Sequence, residues 1–191
     1  MATRDSQLRY GSISIALHWL IAALIIINLA GGLYMSTLPH GDPSLPLIVM
    51  LHKSTGLTIL TLSVLRLVWR LMNPWQPLPL DMSPLLRAAA RFTHILFYVL
   101  IIAIPLSGWA MVSSSVRSNA PILWYGLFEW PKIGFLAALP PDQKKGWGHT
   151  FGETHELLAF LAIALIVLHV GAALYHHYIR RDGVLRRMLP G

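Results

Sequence analysis

Four apolar stretches constrain this chain more than any other feature. They run from about Ile13 to Met35, Leu47 to Trp69, Phe92 to Val112 and His155 to Tyr178. Each holds about 20 residues or more, and a helix rising about 1.5 Å per residue needs that many to cross about 30 Å of hydrocarbon. Backbone polar groups in lipid must be paired inside their own segment, which a helix does and an open strand does not. The pattern therefore predicts an all-α protein, an integral membrane bundle of four transmembrane helices forming one domain over residues 1–191. Charged residues are only 12% of the chain, about half the share in a soluble domain, which argues against both a soluble fold and disorder. The first stretch is too long for the apolar region of a signal peptide, and no A-x-A site follows it. It is read as a span.

Lys and Arg outnumber Asp and Glu by 15 to 8. In so apolar a chain that excess points to the cytoplasmic leaflet, and no nucleic-acid partner is expected. Ten of the basic residues fall at the N-terminus, in the link after the second stretch and in the C-terminal tail; five fall on the other side. The positive-inside rule then places both termini in the cytoplasm of a bacterial cell, with the bundle in its inner membrane. Residues 73–84 hold four prolines and read as a stiff extended link. The outer loop, residues 113–154, is long and rich in Trp, Phe and Tyr, as for a segment lying at headgroup level with a short surface helix.

Cysteine is absent, which excludes disulfides, thiolate zinc sites, iron–sulfur clusters and covalently attached c-type haem. The nine histidines remain. Ionisable side chains within spans are costly and face the bundle interior. His155 and His169 lie 14 residues apart, two heptads of a left-handed bundle, so both face the core about 21 Å apart along the axis. His18 enters from the cytoplasmic side to a depth near His169, and His52 enters from outside to a depth near His155. His18 with His169 (inner) and His52 with His155 (outer) can each clamp one iron axially. Two widely separated pairs do not make a four-coordinate zinc site; two non-covalent haem b groups fit best.

Other residues have smaller expected roles. Lys53, Arg66, Arg70 and His94 are candidate partners of haem propionates; His94, at a depth near His18, is also the rival iron ligand, and the two arginines also suit a quinone carbonyl or inner-leaflet anchoring. His176 and His177 point 100° apart, so at most one reaches a quinone at the inner haem level. Lys144 and Lys145 form a candidate outer patch for an anionic substrate. Gly31, Gly32, Gly56, Gly108 and Gly171 remove the bulk that would keep a macrocycle from fitting between helices.

The chain resembles the prokaryotic cytochrome b561 family, which is related to the cytochrome b subunits of nickel hydrogenases and formate dehydrogenases. The matching pieces include Arg9-Tyr10-Gly11, Leu17-His18-Trp19-Leu20, Leu51-His52-Lys53-Ser54-Thr55-Gly56, Thr154-His155-Glu156, Leu168-His169 and the tail Asp182 to Met188. The resemblance implies a four-helix bundle with two haems b, ligated at His18, His52, His155 and His169, which moves electrons between an outer donor and membrane quinone, ubiquinone or menaquinone. Two forms of that role stay open: a free-standing superoxide:quinone oxidoreductase, and a cytochrome subunit serving a periplasmic redox partner. A non-redox transporter or sensor with structural histidines is the reading from another class. Four unbroken spans, with no acidic residue deeper than Glu156 at the start of the fourth, fit it poorly.

Overall fold

The computed structural model describes residues 10–73, 83–116 and 121–189. Four long helices dominate: α1 (Ser12–Thr37), α2 (Leu45–Leu71), α3 (Pro84–Ser113) and α5 (Pro141–Tyr175), with α4 (Gly134–Ala137) a single turn. All four long helices have the length and composition to cross a membrane. Large apolar side chains such as Ile27, Leu65 and Val167 stand on the outside. That would be costly in water and is what a lipid-facing surface requires.

Local chemistry explains the helix starts. Ser83 Oγ accepts a hydrogen bond from the Leu86 amide at the head of α3, and Pro84 occupies the first turn, where its missing N–H costs nothing. Asp42 accepts from the amide and hydroxyl of Ser44 just before α2. The helices run longer than the apolar stretches. α3 begins eight residues before Phe92, and α5 begins fourteen residues before His155. At 35 residues, α5 is about 52 Å long, so its first turns project beyond a layer of about 30 Å.

The predicted outer loop is therefore largely ordered chain. Residues 141–154 are helix, and β1 (Ile122–Trp124) pairs antiparallel with β2 (Phe128–Trp130) in a hairpin, with Leu123 opposite Glu129. Tyr125 and Gly126 both adopt positive φ, as a primed hairpin turn requires. The hairpin is pinned to α2. Ser54 Oγ, fully buried, accepts from the Tyr125 amide at 2.8 Å, and Trp124 Nε1 donates to Thr58 Oγ1 at 3.2 Å. The prolines of the 73–84 link fall at residues 74–84, nearly all outside the described residues, as do Arg4, Arg9 and Arg117.

α1 packs on α2, α2 on α3 and α3 on α5. A small core of Leu100, Ala162 and Leu165 joins the last pair. α1 and α5 barely touch, so the ring of helices is open inside and encloses a cavity of about 1220 Å³. The hairpin contributes Ile122 to one end of the cavity wall, and the C-terminal tail contributes Val184, Leu185 and Met188 to the other. Trp19 Nε1 donates to the Met188 carbonyl at 2.7 Å and ties the tail to α1.

Candidate functional site

Histidines from α1, α2, α3 and α5 line the central cavity. At the hairpin end the rings of His52 and His155 stand 6.1 Å apart, centroid to centroid. At the tail end the rings of His18 and His169 stand 6.4 Å apart. The pairs expected from depth alone are the pairs the fold brings together. Among the described residues, no three His, Asp or Glu side chains gather closely enough to hold a bare metal ion.

Each ring is positioned by a different device. His155 Nδ1 lies 2.8 Å from the Ile104 carbonyl and 3.2 Å from Ser107 Oγ, in the turn of α3 that holds Pro105. A carbonyl only accepts, so Nδ1 carries the proton and Nε2 keeps its lone pair. A Cβ at Gly108 would sit 3.0 Å from the His155 ring, and one at Gly32 would sit 3.1 Å from the His52 ring. The absent side chains are what let these rings lie where they do. Gly56 faces Asn28, whereas Gly31 and Gly171 meet nothing within 4 Å. Among the described residues, buried His52 Nδ1 has no hydrogen-bond partner of normal geometry.

The tail end is more crowded. The His94 ring also stands 6.4 Å from His169, and Phe97 packs on His169 at 5.1 Å. Arg66 Nη1 lies 3.1 Å from His18 Nδ1, and the same guanidinium sits over the Tyr98 ring. Arg70 sits over the Tyr10 ring. Lys53, Arg66, Arg70 and His94 all line the cavity.

The remaining candidates lie elsewhere. His176 and His177 do not line the central cavity; His176 pairs with Asp182, and His177 stacks edge-on against Tyr178. Lys144 and Lys145 sit near the start of α5, away from the cavity. The Arg66 contact to His18 and the tail contact of Trp19 carry no sequence signal, because each joins residues far apart in the chain.

Comparison with known proteins now bears on this geometry. A family model described as prokaryotic cytochrome b561 matches residues 9–191. The chain belongs to the prokaryotic cytochrome b561 family. It is 36% identical over 190 residues to cytochrome b561 homolog 2 of Escherichia coli (strain K12), covering 99% of this chain and 95% of that one. It is 30% identical over 182 residues to the probable superoxide oxidase CybB of Yersinia pestis, covering 95% of this chain and 96% of that one. The resemblance read from the histidine motifs holds over nearly the whole chain. As a cytochrome b561, this is a membrane cytochrome of the haem b class.

Proposed function

We propose that this cytochrome b561 holds two haems b, one near each end of its cavity, and passes electrons between a donor at the hairpin end and a quinone at the tail end. The observation that carries the proposal is the recurrence of one histidine pairing at two depths. A metal–imidazole bond is about 2 Å, so a metal clamped in line between two imidazoles holds the ring centroids about 6 Å apart. The 6.1 and 6.4 Å pairs fit that span. The cavity of about 1220 Å³ exceeds the usual single-ligand range of about 300–1,000 Å³, which supports more than one macrocycle. Gly32 and Gly108 leave the ring edges of the outer pair free of a Cβ.

When bound, haem supplies a reversible one-electron iron couple whose potential the surroundings tune. The chain's own residues set those surroundings. Ile104 fixes the His155 tautomer with Nε2 available, the arrangement ligating histidines favour. Arg66 poses a definite requirement. A guanidinium only donates, so its 3.1 Å contact makes His18 Nδ1 the acceptor and puts the proton on Nε2. Were His18 to hold a metal through Nε2, its proton would have to sit on Nδ1, facing the guanidinium as a second donor. Arg66 would then turn from the ring toward an acceptor, and a carboxylate is the partner its fork suits.

Haem per chain, measured by pyridine haemochrome on purified protein, tests the proposal. Wild type should carry two and His52→Ala one. Well-folded wild type carrying none, or one that His52→Ala retains, overturns it.

A second reading, oxidation of a small anion such as superoxide at the hairpin end, draws on Lys53. It follows His52, lines the cavity and feels the charge of Lys132. Glu156 lines the same wall and opposes an anion. If Lys53→Gln changes neither the rate of superoxide-dependent reduction nor its salt dependence, this reading falls.

A further inference from the structure

At the tail end, α5 passes into a π-helical turn, His176–Arg180, and the chain then reverses through Arg181 and Gly183, both at positive φ. π turns are rare and concentrate where function has shaped a helix. The reversal brings Arg181 and Arg186 to one small cavity of about 190 Å³, lined also by His177, Tyr178 and Gly183. A water takes about 30 Å³, so the space admits a tetrahedral oxyanion with part of its shell.

The charge there is unbalanced. Among the described residues, neither Arg181 nor Arg186 has an ion-pair partner. The one carboxylate in this segment, Asp182, is already engaged: it meets His176 Nδ1, accepts from the Val184 amide at 3.2 Å and lies 3.9 Å from Arg180 Nε. Two forked guanidinium donors, a phenol and an imidazole form a donor set matched to phosphate oxygens.

The surroundings select among phosphates. Tyr175, Tyr178 and Ile179 on the same helix end are exposed apolar surface, continuous with the lipid-facing flank of α5. A phosphate in the pocket would sit at headgroup level with acyl chains lying along those side chains.

We propose that this pocket binds the phosphate group of an anionic phospholipid headgroup. The occupant bridges Arg181 and Arg186 and so fixes the segment carrying Val184, Leu185 and Met188, the floor of the central cavity. Free inorganic phosphate shares the chemistry but not the apolar flank, which makes it the discriminating competitor.

The test uses the full-length, cofactor-loaded protein in detergent, stripped of lipid. Phosphatidylglycerol and phosphatidylcholine of matched acyl chains are titrated separately and bound lipid is counted by native mass spectrometry. Wild type should hold phosphatidylglycerol at least about 10-fold more tightly than phosphatidylcholine, a difference of about 1.4 kcal/mol. The Arg181→Gln/Arg186→Gln variant should lose that preference, and the Arg181→Lys/Arg186→Lys variant should recover only part of it, because the fork is gone. Equal retention of the two lipids by wild type overturns the proposal without any variant. So does an unchanged preference in a folded glutamine variant. Displacement of phosphatidylglycerol by millimolar inorganic phosphate overturns the lipid assignment in favour of a free-anion site.

Discussion

Gly108→Ala should damage one haem site and spare the other. The added Cβ would lie 3.0 Å from His155 Cε1 and 3.1 Å from Nδ1. Carbon atoms pack best at about 3.5–4.0 Å, so the ring must retreat by at least about 0.5 Å. It cannot retreat freely, because Nδ1 is held by the Ile104 carbonyl at 2.8 Å. Metal–ligand distances tolerate about 0.2 Å, so the displacement falls on ligation. Overpacking of this kind costs about 1–3 kcal/mol, which at about 1.4 kcal/mol per tenfold weakens retention of the outer group by about 5- to 150-fold. Haem per chain should fall from two toward one, and a potentiometric titration should lose one of its two waves. Gly31→Ala, with nothing within 4 Å of its new methyl, is the matched control and should keep both. A Gly108→Ala protein with full haem content and both potentials unmoved would refute the cradle reasoning.

Three further outcomes follow from the same geometry. His94 and His18 stand equally far from His169, yet His94→Ala should keep both haems while His18→Ala loses the inner one; the reverse haem counts would exchange their roles. Ser54→Ala leaves the half-buried Tyr125 amide without its acceptor, at a cost of up to about 1–3 kcal/mol, so hydrogen exchange across residues 122–130 should quicken, and unchanged protection there would show the hairpin is held by other contacts. Burial pushes the Asp182 carboxyl up, but the His176 and Val184 hydrogen bonds and the Arg180 charge outweigh it and hold it below the ordinary carboxylate range. A lowered folded value means the clasp is complete above the ordinary value of about 3.9 and fades as pH falls through the lowered one. Exchange at the Val184 amide, corrected for its intrinsic pH dependence, should therefore rise only below about pH 4, and a rise between pH 7 and 5 would contradict the assignment.

What the sequence displayed was whatever contrasts with lipid. His18, His52, His155 and His169 stood out because a polar ring in an apolar run needs a reason, and helical rise turned their positions into depths. The same logic failed where polarity carries no contrast. Residues 141–154, with their lysines and glycines, read as loop, although they form the first turns of α5. The aromatic run around Trp124 read as an interfacial belt, and its hairpin form, held by Ser54 and Thr58 hydroxyls, was not legible. Serines and threonines at those positions give no warning of which distant amide they will meet. Among the five flagged glycines, composition could not separate Gly32 and Gly108, which cradle rings, from Gly31 and Gly171, which face open space.

The order in which the polypeptide is made gives α5 a special place. It contributes one histidine to each pair, and it is made after the other three long helices. His18 and His52 are both made before the α5 histidines they face. Neither pairing exists until α5 has been made, so on the ligation proposed above cofactor capture waits for the fourth helix. A stop codon before His155 leaves no pairing at all, and one between His155 and His169 leaves the outer alone. Met188, which binds Trp19, lies further along the chain than all four histidines, so the floor it forms cannot be laid before they are made.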